Sequence, residues 1–265
     1  MVFDMKLWPD SFEAIQAGTK TVEMRLNDEK RQKIQIGDIL QFTNTLTQEV
    51  TCCVVLDKRV FPSFKELYEV YDKISIGYKE SEEAKPEDMY AYYPKEDIEA
   101  YGALAIQVCS LSLLTPKLLV DSGICPTCFD RKYGNCLYGD MTDKLIYQDE
   151  KIVCFFAGNP RAVGHTIISS IVHYKDMLTA PKDLVIDIYS FAQRLMQGIQ
   201  KIFQCESVYL CTMCDGPMNH FHIQLIPRYK DELRGSRNFV KERGTYVLDK
   251  EKLSLLQAYA IEENL

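Results

Sequence analysis

The sequence predicts an α+β protein of two domains, and three observations support this fold class. The chain has 265 residues, which is more than a single domain of common size requires. Its first part contains short β-forming runs separated by turn residues, and its second part has one long amphipathic segment among strand-like segments. Thr115 and Pro116 interrupt the pattern, so we predict domains of residues 1–114 and 115–265.

In the first domain, polar residues precede a short amphipathic run that ends at Gly18, which predicts a helix. Apolar residues also recur at helical spacing between Ser63 and Tyr71, which predicts a second helix. The predicted strands cover residues 21–25, 38–43, 50–55 and 103–108. This order of elements indicates a small, curled sheet or β-barrel with short helices.

In the second domain, apolar residues recur at helical spacing over about residues 183–203, and this stripe is typical of a core-facing helix. The predicted strands cover residues 144–147, 152–156, 165–170, 207–213 and 220–226. An antiparallel sheet covered by one long helix follows from this arrangement.

Charge and composition exclude several classes of function. The net charge is −7, with 13 basic and 20 acidic residues in positions 1–114 and 18 of each in the remainder. Because no broad basic face is expected, general electrostatic capture of nucleic acid is disfavoured. The first residues do not resemble a secretory leader, and no apolar run has membrane-spanning length, so we expect a cytoplasmic protein without membrane partners. In that compartment most of the ten cysteines remain thiols.

All four histidines lie in the second domain, and two of them alternate with a glutamine as His220, His222 and Gln224. Alternation along a strand directs these side chains to one face. Burying such a row without partners is costly, so it is expected to line a site. A neutral imidazole can attack phosphorus and form a phosphoramidate, which divides one displacement into two.

The segments Gly164–Ile168 and His220–Arg228, with His173 and a long helix between them, resemble the histidine-triad (HIT) superfamily of nucleotide hydrolases and transferases. Glutamine in the third motif position is similar to the galactose-1-phosphate uridylyltransferase and dinucleoside polyphosphate phosphorylase branches. The resemblance implies that His222 is the nucleophile, that Gln224 binds the phosphoryl oxygens, and that HIT domains pair as homodimers. Because glutamine cannot transfer a proton, we expect the nucleotide to pass to a second substrate rather than to water. Hydrolysis stays open as an alternative.

The HIT resemblance implies a substrate class and a set of nucleotide contacts. The substrate is a nucleoside phosphate ester, anhydride or phosphoramidate, and the intermediate is a covalent nucleotidyl-histidine. The expected nucleotide-binding residues are Asn159, Gly216, Asn219 and Arg228. The basic tail of this domain either clamps phosphates or is merely solvated, and it comprises Arg228, Lys230, Arg234, Arg237, Lys241 and Arg243.

Cys125 and Cys128 have the spacing of a zinc knuckle, in which two thiolates occupy two corners of a tetrahedron. Zinc-bearing members of the HIT superfamily imply His173 and His220 as the other ligands, so His220 belongs to both the catalytic row and the metal site. The zinc is expected to be structural. There are two alternatives: Cys136 replaces His173 as a metal ligand, or the knuckle binds no metal.

The segments 15–25, 36–42 and 101–106 resemble an ASCH domain, a small PUA-like barrel proposed to bind RNA or modified nucleosides. Some bacterial members are amidohydrolases of acetylated cytidine that use a lysine, which Lys20 matches, while their threonine falls on Glu23. Lys20, Glu23 and Arg25 are therefore candidate cleft residues. An alternative function is RNA or modified-nucleoside binding by this domain, with a catalytically quiet HIT domain.

Overall fold

The computed structural model describes residues 1–134, 136–235, 242–245 and 249–261. The chain divides into two compact units, Met1–Phe129 and Asp130–Leu265. The division falls inside one helix, Pro126–Tyr133. The domain limits 1–114 and 115–265 stay a prediction. Among the described residues, no helix is both long and apolar enough to cross a membrane.

The first unit contains a curled half-barrel of five strands in the order β1-β3-β4-β5-β2. The strands are β1 (Val2–Leu7), β2 (Val22–Leu26), β3 (Ile39–Asn44), β4 (Val50–Phe61) and β5 (Ala103–Ser110). Strand β1 runs parallel to β3, and the other neighbours are antiparallel. An irregularity between Val55 and Asp57 shifts the register of the long strand β4 against β5. Such bulges bend a strand and increase its twist, which suits a curled sheet.

Short helices surround this sheet. They are α1 (Pro9–Ala17), α2 (Glu29–Gln32), α3 (Phe64–Val70), α4 (Lys95–Tyr101) and α5 (Pro116–Asp121). Helix α1 begins with a proline, which suits a first turn, and ends at Gly18 in the left-handed conformation. Its buried face consists of Phe12 and Ile15, which join the core of the sheet.

Helix α6 (Pro126–Tyr133) leads into the second sheet, whose strands follow the order β6-β7-β8-β10-β9. These are β6 (Leu145–Gln148), β7 (Ile152–Phe156), β8 (Thr166–Ser170), β9 (Ser207–Cys211) and β10 (His222–Arg228). All neighbours are antiparallel. Helix α7 (Lys182–Phe203) buries Ile188, Leu195 and Ile199 in the core that it shares with the sheet, and α8 (Lys250–Ile261) packs against α7.

The predicted α+β class is confirmed, and several element limits differ from prediction. Strand β1 was not predicted, and neither were helices α2, α4, α5, α6 and α8. Strand β4 continues to Phe61 rather than ending near Val55, because its second half pairs with β5 beyond the irregularity. Strand β10 begins at His222 rather than at residue 220, since the N–H of Phe221 is bonded to the carbonyl of Tyr174 and not to β8.

Candidate active site and metal centre

Strand β10 places His222 and Gln224 on the sheet face opposite α7. His222 is opposite Ser169 of β8, and Gln224 is opposite Cys211 of β9. The alternating residues Ile223 and Leu225 are fully buried in the core that includes α7. His222 is only half-buried, so its ring is accessible from solvent. The predicted motif therefore presents a reachable imidazole beside a buried amide.

The hydrogen bond of His222 determines which nitrogen can react. Its Nδ1 lies 2.8 Å from the backbone oxygen of His220. A carbonyl oxygen can only accept, so Nδ1 carries the proton when the ring is neutral. The lone pair of Nε2 is consequently available for attack on an electrophile.

A second imidazole, His165, determines the orientation of the Gln224 amide. The backbone N–H of Arg161 donates to Nδ1 of His165 at 3.0 Å, so the neutral ring carries its proton on Nε2. That nitrogen lies 3.1 Å from Oε1 of Gln224, which accepts the bond. The amide nitrogen of Gln224 then faces Nε2 of His222 at 3.4 Å. Gln224 thus presents a donor group to Nε2 of His222.

His165 is held in its neutral form. Burial lowers the pKa of His165 to about 4, and the positive charges of Arg243 and Arg161 act in the same direction. The side chain is 1% exposed. At neutral pH, His165 therefore keeps its single donor proton directed at Gln224.

Three of the predicted nucleotide-binding residues lie in loops. Asn159 is exposed, and its backbone oxygen accepts a bond from Nη1 of Arg243 at 3.2 Å. Gly216 has a φ of 140° and has open space where a side chain would begin. The Asn219 amide nitrogen donates to the backbone oxygen of Lys175 at 2.5 Å. Nucleotide contacts at these positions stay predictions.

Arg228 is engaged inside its domain. Only 4% of it is exposed, and its guanidinium lies 2.6 Å from a carboxylate oxygen of Glu206 and 3.2 Å from the hydroxyl of Ser207. This arrangement joins β10 to the start of β9, and nucleotide binding by Arg228 stays a prediction. In the remainder of the predicted basic tail, Arg234 lies 3.6 Å from Glu206, whereas Arg237 and Lys241 lie outside the described residues.

The four predicted metal ligands form one cluster. One ligand atom each from Cys125, Cys128, His173 and His220 lies within 4.8 Å of the other three. Cys125 directly precedes α6, and Cys128 lies in its first turn. Two thiols and two imidazoles form a donor set that suits tetrahedral zinc, so these residues fit the ion. Cys136 does not belong to this cluster.

His220 connects the metal cluster with the imidazole of His222. It precedes β10, and its ring packs edge to face against that of His173, with centroids 5.2 Å apart. Its side chain is part of the metal cluster, while its backbone carbonyl accepts from Nδ1 of His222. One residue therefore contributes to both arrangements through different atoms.

In the first unit, Lys20, Glu23 and Arg25 form a largely buried ionic cluster. The Lys20 ammonium lies 2.8 Å from one carboxylate oxygen of Glu23, and Nε of Arg25 lies 2.7 Å from the other. Gly77 packs against Lys20, since a Cβ at that residue would lie 2.8 Å from Cδ of the lysine. The predicted cleft residues are thus brought together.

The charges of this cluster depend on one another. Burial favours the neutral form of Glu23, but the positive charges of Lys20 and Arg25 outweigh it and lower the pKa of Glu23. Burial would also lower the pKa of Arg25, but Glu23 and Tyr93 raise it. Removing one partner of a buried ion pair is strongly destabilising, so loss of Lys20 or Arg25 would leave the charge of Glu23 without full compensation.

The candidate residues taken from the sequence did not include His165, which lies beside Gln224, or Arg131, which donates to the backbone oxygen of Ser170. His165 follows Gly164 within the segment Gly164–Ile168, so its position beside β10 carried a usable signal. Arg131 carried none, because its contacts depend on how α6 meets the end of β8.

Comparison with known proteins supports both domain resemblances. Residues 5–110 match the model of the ASCH domain, and residues 139–231 match that of the HIT domain. An uncharacterized HIT-like protein of Methanocaldococcus jannaschii is 26% identical over 97 residues, which are 36% of this chain and 75% of that protein.

Two solved structures are also similar to part of this chain. A hypothetical protein of known crystal structure is 31% identical in sequence. The match covers 42% of this chain and 99% of that protein, with a TM-score of 0.36. A zinc-bound histidine triad family protein from Mycobacterium smegmatis is 20% identical and covers 44% of this chain and 82% of its own, also with a TM-score of 0.36.

Proposed function

Because residues 139–231 match the HIT domain and residues 5–110 match the ASCH domain, we propose that this protein is a nucleotide hydrolase or nucleotidyltransferase. The observation that carries the proposal is the hydrogen bond from Nδ1 of His222 to the His220 carbonyl. In the neutral ring this bond leaves the lone pair on Nε2 of a half-buried side chain, which is what a nucleophile requires.

In the proposed reaction, Nε2 of His222 attacks the phosphorus of a nucleoside phosphate ester, anhydride or phosphoramidate. The new N–P bond forms as the bond from phosphorus to the leaving group breaks, and the leaving group departs with that electron pair. Water or an acceptor then displaces the histidine and restores its lone pair. Throughout, Nδ1–H stays bonded to the His220 carbonyl, which orients the ring.

Gln224 is proposed to support the phosphoryl group. Its amide nitrogen faces Nε2 of His222, so it is placed to donate to a non-bridging oxygen once phosphorus is attached there. Arg161 and Arg243 lie close enough to influence His165, and their charges favour an anionic substrate near this face. Asn159, Gly216, Asn219 and Arg228 are the proposed nucleotide contacts.

The metal cluster is proposed to hold structural zinc. Zinc bound by Cys125, Cys128, His173 and His220 would stabilise the fold without taking part in bond making. The side chain of His220 would be fixed by that binding, and its carbonyl would then hold the His222 ring in position.

Incubation with dinucleoside polyphosphates, nucleotide sugars and nucleoside phosphoramidates tests this function. Nucleotide products are analysed beside the intact protein mass, with His222→Ala as the control. We expect product formation that the variant loses. A nucleoside monophosphate bound to the protein and removed by an acceptor would indicate a transferase. Products without an accumulating adduct would indicate a hydrolase. No product from any substrate would contradict the proposal.

A second candidate function belongs to the ASCH domain, and the buried cluster of Lys20, Glu23 and Arg25 favours it. Buried ionic groups are costly and often mark functional sites. The proposed ligand is RNA or a modified nucleoside. Binding of a short single-stranded RNA is measured against salt concentration for the intact protein and for Arg25→Met. Binding that is absent, or unchanged in the variant, would contradict this candidate.

A further inference from the structure

Helix α6 carries a positive side chain that reaches the end of β8 beside the metal cluster. We propose that this residue, Arg131, is a positioning residue: it holds His220 in the state that binds metal and, through His220, holds His222 in line. The second part of this inference rests on the proposed function, whereas the first part concerns metal binding alone.

The guanidinium of Arg131 makes several contacts with the last residues of β8. Its Nη1 donates to the backbone oxygens of Ser170, at 2.7 Å, and Ile171, at 3.0 Å. Its Nη2 donates to the hydroxyl of Ser169 at 3.2 Å. Hydrogen bonds from a charged donor are stronger than neutral ones, so these bonds fasten α6 to the end of β8. Because α6 also carries Cys128, Arg131 links a metal-binding helix to the sheet.

The Ser170 carbonyl is shared between Arg131 and His220. Nε2 of His220 lies 2.8 Å from this oxygen, and Nη1 of Arg131 lies 3.4 Å from the same nitrogen. Since the carbonyl only accepts, Nε2 carries the proton and Nδ1 is the nitrogen available to a metal. Partners of this kind select the tautomer of a ligating histidine and orient its ring. By positioning the Ser170 carbonyl, Arg131 therefore supports the metal-binding tautomer of His220.

The same end of β8 is tied to the residues around the nucleophile. Ser169 is opposite His222 in the sheet register. The backbone N–H of Ser170 donates to the carbonyl of Phe221 at 3.2 Å, and its hydroxyl contacts that carbonyl at 3.3 Å. Phe221 lies between His220 and His222 in the chain. A shift of Ser170 would consequently reach both histidines.

Replacement of Arg131 by methionine tests the inference, because methionine keeps much of the side-chain length and removes the charge and the donors. Zinc affinity of the full-length protein is measured by competition with a chromophoric chelator, with no nucleotide present. Loss of such supporting contacts typically costs about 10- to 100-fold in metal affinity, and we expect about tenfold here because much of Arg131 is exposed. With substrate, kcat should fall while KM changes less than about threefold.

Two further variants keep the test decisive. Lys132→Met removes a positive charge from the same helix, and Lys132 lies over the ring of Tyr133, so zinc affinity and kcat should stay at wild-type values. Arg131→Lys retains the charge with fewer donors and should give intermediate zinc affinity. If Arg131→Met does not fold, the lysine variant decides. Wild-type zinc affinity in a folded Arg131→Met protein overturns the inference. If that variant does not fold, wild-type zinc affinity in Arg131→Lys overturns it. Both results apply whether or not the protein turns over nucleotides.

Discussion

At the scale of single residues, the hydrogen bonds around Gln224 connect two imidazoles with different tasks. His165 is buried, neutral and directed at the amide oxygen, whereas His222 is half-buried and has its Nε2 available. The amide between them donates towards Nε2 of His222 and cannot act as an acid or a base. A histidine in that place would supply a proton-transfer group that glutamine lacks.

Gln224→His should increase the discharge of the nucleotidyl intermediate to water. Histidine can hold and transfer a proton near neutral pH, and general acid–base assistance of this kind is typically worth about 100-fold or more. The measurement is the ratio of hydrolysed to transferred nucleotide when an acceptor is present. Gln224→Met, which offers neither donor nor proton, is the control. An equal ratio in the two variants would be incompatible with the assigned role of Gln224.

The neutral state of His165 predicts a pH-dependent stability. The pKa of His165 is about 4 in the folded protein, against an ordinary value of 6.5. Between these two pH values the unfolded chain therefore binds a proton at His165 that the folded chain does not bind. This group therefore lowers the free energy of unfolding as pH falls from 6.5 to 4, by at most about 3 kcal/mol. Denaturation of the wild type and of His165→Gln over this range should give a steeper loss for the wild type. Parallel curves would refute the assignment.

At the scale of helices and strands, α8 depends on a close approach to α7 at Gly198. A Cβ at this position would lie 2.6 Å from Cδ1 of Tyr259. Glycine is otherwise unfavourable inside a helix by roughly 1 kcal/mol relative to alanine. The glycine is thus explained by packing and not by helix propensity.

Gly198→Ala is consequently expected to destabilise the protein by about 1–3 kcal/mol, although alanine is the better helix former. In a Tyr259→Ala background, the same substitution should stabilise it, since the obstructing ring is gone. Urea denaturation of the four proteins in this double-mutant cycle measures the coupling. Stabilisation by Gly198→Ala in the wild-type background would show that α8 does not pack there.

We expect the stability of helix α6, and of Cys125 directly before it, to depend on bound metal. Cys128→Ser should abolish stoichiometric zinc and lower the melting temperature, because a structural zinc site contributes directly to folding. Cys214→Ser is the matched control, since Cys214 is exposed and outside the cluster. Metal analysis and thermal denaturation of both variants check this. Full zinc content in Cys128→Ser would exclude the four-residue site.

At the scale of the whole molecule, periodicity was sufficient to predict the α+β class and the long helix α7. The apolar stripe over about residues 183–203 is long and regular, and the observed helix is Lys182–Phe203. The same was true of the alternating residues His222 and Gln224, because a period of two leaves little choice of face. Spacing indicated Cys125 and Cys128 as metal ligands, and the resemblance to zinc-bearing HIT proteins indicated His173 and His220; the four lie together in the structure.

Features that depend on contacts distant in sequence were not predictable. Strand β1 is held by parallel pairing with β3, and the second half of β4 is held by β5 beyond an irregularity. Helix α8 takes its place from α7 rather than from a strong amphipathic pattern of its own. The roles of His165 and Arg131 arise only when β8, β10 and α6 meet. Pairing of the HIT domains of two chains as a homodimer stays a prediction.

Peptide-level mass spectrometry of a rapidly quenched reaction can locate the covalent bond that His222 is proposed to form with a nucleotide. Trapped protein is digested at alkaline pH, because phosphoramidates are lost in acid, and the modified peptide is sequenced. We expect a nucleoside monophosphate on His222 that is absent from His222→Ala. An adduct on another residue, or full turnover by His222→Ala, would contradict it.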